Sequence, residues 1–301
     1  MRWHEMNEEE QDLFLSEWLV EGYEEGLGRS DFGSLLSALG RLNPRARYKI
    51  AWKVYDTWGV LQPPQPAPAA PPELITAMMV AAFAIGRAEL GMIVCLCYSA
   101  LLRVGESLQL TFRDVFFTGG VLVLCLAHTK RGMEQKVVLT NSLVIAWMSR
   151  YLAMVMDDKP ESRIFSMSYA SVLRWVKRLS SMLGAEAIQL TTHSFRRSGA
   201  SELARRNVPI TDIMMFGRWL SDRSAREYIR KGEVAILRAS TIVSAADRIR
   251  WAQWCRVLPF VWHLQTAILA ADVEIASQRQ VTQGSFDKLE RLVFRLFQSG
   301  Q

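Results

Sequence analysis

His193 and Arg196, in TTHSFRRSGASELA, lie three positions apart; on a helix they share one face about 5 Å apart, and both can donate to a single anion. Arg103 and Glu106, in SALLRVGESLQL, repeat that spacing. Arg103 directly follows the apolar run Leu90–Leu102, which draws its stem inward. A partly buried arginine needs an anion, and Glu106 can hold it in one orientation while leaving donors free. Lys130, in AHTKRGMEQKVVL, sits where a hairpin tip could carry an ammonium into a cleft. In GRWLSDRSAREYIR, Tyr228 lies among Arg218, Arg223, Arg226 and Arg230, with Trp219 nine positions before it. Singly, each has an ordinary explanation. HxxR is common beside a core histidine, an i,i+3 ion pair is worth a few tenths of a kcal/mol, turn lysines are idle, and most helical tyrosines pack.

The elements that would position these groups can be read from periodicity. Ser30–Leu61 reads as two helices whose basic cluster (Arg41, Arg45, Arg47, Lys49, Lys53) is interleaved with aromatics, a composition suited to a phosphate backbone or to a solvated face. QPPQPAPAAPP, residues 62–72, has six prolines in eleven positions and reads as an extended linker. Two apolar helices follow, at about 73–85 and 87–102. VFFTGGVLVLCLA then switches to a β pattern around a Thr-Gly-Gly turn, and KVVL follows, predicting three short antiparallel strands with residues 128–135 as the second turn. Helices are predicted at about 142–156, 169–183, 193–206, 209–216 and 222–231. Ser224 with Glu227 is a capping-box signature that would put Tyr228 in the first turn of its helix; Ser221 is the competing cap. The tail 236–301 is helical and aromatic (Trp251, Trp254, Phe260, Trp262), broken at Pro259, and ends in the stripe Phe286, Leu289, Leu292, Val293, Leu296 and Phe297, which reads as intramolecular core.

The 301 residues carry a net charge of +6, unevenly placed. Residues 1–28 hold nine acids against Arg2, so they are −8 and the remainder is +14. A body this basic points to a polyanion, either nucleic acid or an anionic membrane surface. The acidic start is no secretory signal, and the longest clean apolar run, 13 residues, is short of the roughly 20 a membrane span needs. Cys95, Cys97, Cys125 and Cys255 form neither a CxxC pair nor a disulfide framework, and the four histidines form no metal motif. A reducing, intracellular setting without a structural metal is expected.

Taken in order, Arg103, Lys130, His193-x-x-Arg196, Trp219 and Tyr228 resemble the tyrosine recombinase family, the phage-integrase-like DNA breaking and rejoining enzymes. Trp219 in place of the more usual histidine, and the YIR at the tyrosine, are similar to the Cre branch. The motif match covers residues 99–230, and the family's usual Leu-Gly-His is Phe216-Gly217-Arg218-Trp219 here. The resemblance implies a mainly α fold with a small three-stranded antiparallel sheet, the catalytic core of DNA breaking-rejoining enzymes, preceded by a short helical core-binding module. The expected organisation is that module at 1–61 (with 1–28 acidic), the linker at 62–72, a catalytic domain at 73–235 and a helical extension at 236–301. The acidic segment could add one helix (Trp3, Leu13, Phe14, Trp18) to the module.

The implied chemistry is transesterification. Arg103 and Arg196 would clamp the non-bridging oxygens, each such donor being worth ~10²–10³ in rate. A phenol with a pKa near 10 needs help to ionise: cationic surroundings favour the phenolate of Tyr228, and His193 is its proton acceptor. The indole N–H of Trp219 can donate to phosphate but cannot shuttle protons. The resemblance assigns a 3′-phosphotyrosyl link, protonation of the 5′-oxygen by Lys130, a homotetramer on double-stranded DNA, and location with the DNA; neither metal nor other cofactor is required. Glu106 is expected to support Arg103, while Arg197 and Arg218 are expected to contact DNA with the basic cluster of the module. Two other readings are a non-catalytic DNA-binding relic of a mobile element and a type IB topoisomerase-like enzyme.

Overall fold

Asn7 opens the first helix, α1 (Glu8–Glu24), with a capping box: its side chain accepts from the Glu10 N–H at 3.0 Å, and the Glu10 carboxylate accepts from the Asn7 N–H at 2.8 Å. The computed structural model describes residues 3–62, 68–126, 135–157, 159–260 and 281–299, so that the expected second turn of the sheet lies almost wholly outside the described residues, and the chain divides into two units, Met1–Pro66 and Ala67–Gln301. In the first unit α1 packs with α2 (Arg29–Leu42) and α3 (Lys49–Leu61) around Leu15, Leu19, Phe32, Leu36 and Trp58. The acidic segment does form a helix, but of the apolar residues expected to seat it, Leu13, Phe14 and Trp18 remain exposed; the inward positions are Leu15 and Leu19. Tyr48, before α3, takes a left-handed φ of +40° and offers no side-chain cap. The orphan donors of α3 are met by Asp12 of α1, which accepts from Ile50 and Ala51 N–H at 2.9 and 2.8 Å. Glu8 accepts from the Arg47 N–H at 2.8 Å.

The second unit is mainly α-helical with one small sheet. Its centre is a pair of helices apolar on every side, α4 (Pro72–Ala84) and α5 (Ala88–Ser99), which is the composition of helices covered all round. The proline-rich stretch ends inside this unit: Ala69 and Ala70 are buried, Ala70 N–H donates to Ser198 Oγ at 2.8 Å, and Pro72 begins α4. After α6 (Val104–Gln109) come β1 (Val115–Thr118), β2 (Val121–Leu126) and β3 (Gln135–Leu139), antiparallel in the order β1-β2-β3 with Val115 opposite Leu124 and Leu122 opposite Leu139. The hairpin turns on Gly119 and Gly120, both at positive φ, and β2 alternates so that Leu122, Leu124 and Leu126 face the core.

Further helices are α7 (Ser142–Val155), α8 (Tyr169–Met182), α9 (Thr192–Arg205), α10 (Ile210–Gly217), α11 (Asp222–Ile242), α12 (Ala245–Val257) and α13 (Gln283–Ser299). α11 runs well past the predicted end at 231, without a break at 235. Ser221, not Ser224, is its cap, accepting from the Ser224 N–H at 3.3 Å; Tyr228 therefore lies in the second turn rather than the first. Of the tail stripe, Phe286, Leu289 and Val293 are buried and Leu292 is half-buried, and Trp254 stacks on Phe286 at 5.9 Å; the side chains of Leu296 and Phe297 lie outside those described. Trp262 lies outside the described residues. No helix among the described residues is long and apolar enough to cross a membrane.

Candidate active site

The site begins where α5 ends. Leu101 is buried at a left-handed φ of +49°, which turns its carbonyl inward and lets Arg103 cap α6. Glu106, three residues on, accepts from Arg103 twice, from its backbone N–H at 2.8 Å and from its guanidinium at 2.5 Å. The Glu106 side chain is 7% exposed and that of Arg103 40%, so the carboxylate is interior and the guanidinium stands at the surface of the cleft.

Helix α9 supplies the next groups. Gly199 lies against the carbonyl of Tyr98 and the Leu101 side chain, leaving no room for a Cβ, and this close approach brings α9 onto the end of α5. Arg196, 3% exposed, donates to Leu101 O at 2.5 Å and to Gly217 O. Burial, then Arg218 and Arg103, lower its pKa to about 10, against the opposing pull of Tyr228 and Glu106. His193, near the start of α9, is exposed in a cleft of about 270 Å³ with Arg103, Gln109, Tyr169 and Thr192. Partial desolvation and, after it, Arg196, Arg103 and Arg197 hold its pKa below the ordinary 6.5.

The third contribution is the turn between α10 and α11. Trp219 N–H bonds to Met214 O at 3.0 Å and Arg218 N–H to Met215 O at 3.2 Å, a Schellman closure with arginine, at φ +56°, where glycine is usual. Gly217 leaves space that the Trp219 ring fills. The aromatic and cationic groups form a layered series: Arg196 lies 4.8 Å from the Trp219 ring, Trp219 lies 5.1 Å from Tyr228 at 50°, and Arg197 lies 4.6 Å from the Tyr228 ring. The Tyr228 hydroxyl is buried and has no hydrogen-bond partner among the described residues; Arg197 Nε and Nη1 and Arg218 Nε are in the same condition.

The structure thus brings together Arg103, Glu106, His193, Arg196, Trp219 and Tyr228, although they span 125 positions of sequence. Lys130 lies outside the described residues. Arg197 and Arg218, expected on the DNA-facing surface, are instead interior: Arg197 is 8% exposed, and the Arg218 side chain, 5% exposed, bonds to Glu106. Arg226 and Arg230 pair with Asp222 and Glu227 on the exposed side of α11. Arg41, Arg45, Arg47, Lys49 and Lys53 are all exposed on the first unit. Sequence reading passed over Leu101, whose role is carried by a backbone carbonyl with no side-chain signature. It also missed Tyr169 and Thr192, which join their hydroxyls at 2.7 Å on the cleft wall and carry no motif.

Comparison with known proteins adds three findings. The family model described as "Phage integrase family" matches residues 73–233. Among curated proteins, none matches this sequence. Among solved structures, the fold is similar to XerH site-specific recombinase bound to difH substrate in a pre-cleavage complex (TM-score 0.52, 17% identity, 72% of this chain and 66% of that one). It is equally similar to the XerH post-cleavage complex on palindromic difH substrate (TM-score 0.52, 16% identity, 72% and 65%). The Tn1549 transposon integrase in complex with transposon right-end DNA gives TM-score 0.52, 12% identity, and coverage of 76% and 82%. The chain thus spans slightly less than two thirds of the length of the XerH chains it matches.

Proposed function

Because this chain belongs to the phage integrase family, we propose that it is a site-specific DNA recombinase that cuts and rejoins duplex DNA through a covalent link to Tyr228. The observation that carries this reading is the convergence of two guanidiniums, an imidazole, an indole and a phenol on one site, delivered by α6, α9, the α10–α11 turn and α11. Arg103 and Arg196 donate to the non-bridging oxygens of the scissile phosphate, where negative charge builds in the pentacoordinate transition state. His193, neutral because its pKa is depressed, takes the proton of the Tyr228 hydroxyl. The phenolate oxygen bonds to phosphorus while the bond to the 5′-oxygen breaks, leaving a 3′-phosphotyrosyl link; Lys130 protonates the departing oxygen. Trp219 donates its indole N–H to the phosphate. The phosphodiester is conserved in the adduct, so religation needs no external energy. Tyr228 must swing its hydroxyl out of the interior to reach a phosphate in the cleft of His193 and Arg103.

Duplex DNA as the partner is supported by the basic body and by the DNA in the XerH and Tn1549 complexes. The exposed cations Arg41, Arg45, Arg47, Lys49 and Lys53 would add phosphate contacts, and the working form would be a homotetramer acting where the DNA lies, inside the cell. The test is a nicked duplex carrying the cognate site: the wild-type chain forms a protein–DNA adduct stable to denaturant, and Tyr228→Phe forms none. An adduct surviving in that variant would displace Tyr228 as nucleophile. The inward hydroxyl of Tyr228 favours a second reading, the non-catalytic DNA-binding relic. Binding without any adduct from the wild-type chain would select it, whereas an adduct resolved without strand exchange would select a topoisomerase.

A further inference from the structure

Arg218 occupies a backbone conformation for which it is poorly suited. A left-handed arginine at a helix end is strained relative to glycine, and this one is buried as well. Its guanidinium makes three bonds, to Phe216 O at 3.1 Å, to Leu101 O at 3.2 Å and to the Glu106 carboxylate. Two left-handed non-glycine residues, Leu101 and Arg218, are therefore joined across the site by one hydrogen bond, and the same carbonyl also receives Arg196. Glu106 in turn is shared: Oε1 is held by Arg103, and Oε2 by the Arg103 N–H and Arg218, with Arg196 at 4.0 Å. A helix end needs none of this, since glycine would close α10 without strain.

We propose that Arg218 is a positioning residue acting through Glu106, a role that rests on the recombinase reading above. When Arg103 turns its guanidinium to a phosphate in the cleft, Glu106 gives up its bond to that guanidinium. Arg218 keeps the buried carboxylate paired at that moment, so that Arg103 can be shared without leaving an uncompensated charge in the interior. Removing Arg218 leaves Arg103 as the principal partner of Glu106 and draws it away from the phosphate. Arg218 touches no substrate in this role; it sets how much of Arg103 the substrate receives.

The experiment measures single-turnover adduct formation on nicked duplex, at saturating DNA, beside noncovalent affinity for the same duplex. Arg218→Gly keeps the backbone conformation and removes the guanidinium. Its adduct rate is expected to fall about tenfold to a hundredfold, the range seen where an outer partner orients an inner ligand, with affinity within about twofold of wild type. Free guanidinium ion at subdenaturing concentration should restore part of the rate, and Arg218→Lys, which keeps the charge, should lose less. In Glu106→Gln the loss of Arg218 should have no further effect, because the group it acts through is already neutral. An Arg218→Gly rate within twofold of wild type would overturn the role, as would full additivity with Glu106→Gln. Should Arg218→Gly fail to fold, Arg218→Lys carries the comparison in the wild-type and Glu106→Gln backgrounds: a loss beyond twofold in the first that disappears in the second supports the role, and a rate within twofold of wild type overturns it. A wild-type chain that forms no adduct overturns this role together with the recombinase reading, whereas an active wild type with an unaffected Arg218→Gly overturns this role alone.

Discussion

Each unit of the chain buries a carboxylate, and they are treated in opposite ways. Asp12, in the first unit, is 8% exposed, and its two oxygens are met by two backbone N–H donors at the start of α3. Glu106, in the second, shares its carboxylate among Arg103, Arg218 and the more distant Arg196, while close by four side-chain polar atoms on Arg197, Arg218 and Tyr228 are buried without partners. Those four are the buried orphan atoms found among the described side chains. A completed set of hydrogen bonds holds a fold together; donors left over around one anion are what a site needs in order to receive another. The comparison separates a carboxylate that builds from one that manages charge.

That distinction can be broken experimentally. The largest effect is expected for His193→Gln, which should slow adduct formation by ~10²–10⁴ and remove its acid limb. Burial and three guanidiniums disfavour the imidazolium, so in the wild type the rate should fall on acidification only below pH 6.5, the ordinary value for histidine; a midpoint above that would contradict the assignment. Arg196→Ala should cost ~10²–10³ in rate, read in the same single-turnover assay. Asp12→Ala should leave the adduct rate of bound protein unchanged but destabilise the first unit by ~1–2 kcal/mol, read from urea unfolding. The smallest and sharpest is Arg197→Met: removing buried donors that lack partners should be neutral or stabilising by ~1 kcal/mol, while slowing adduct formation. A loss of stability there would mean that the orphan donors are structural after all.

The candidate residues could be gathered from the sequence because residue type and order carry the family resemblance. Arg103, His193, Arg196, Trp219 and Tyr228, which the fold draws together, were nominated through the resemblance that their order and spacing carry, and α4, α5 and the strands through unbroken or alternating apolar runs. What escaped depends on contacts remote in sequence. Arg218 reads as one more surface arginine until its left-handed backbone turns the side chain onto Glu106, 112 positions away. The first cap of α11 is Ser221 although Ser224 offers the better local pattern, and α11 extends to Ile242 with Ala239 and then Val243 meeting the core beyond the predicted boundary. Ala69 and Ala70 carry no sign in their composition that the proline-rich stretch ends against Ser198. Local periodicity states which face is apolar, not what lies opposite it.

The borrowed cap on α3 alters how the acidic segment should be regarded. Its −8 charge suggests a brake on a basic protein, something to trim away for tighter DNA binding. Yet the start of α3, whose first two turns carry Lys49 and Lys53, is anchored by Asp12 of that same segment, and Glu8 holds the backbone of Arg47 just before it. Deleting it would raise the net positive charge and at the same time dismantle the scaffold that presents the cations. In an engineering sense the acidic helix is a mould, and the basic surface is its casting.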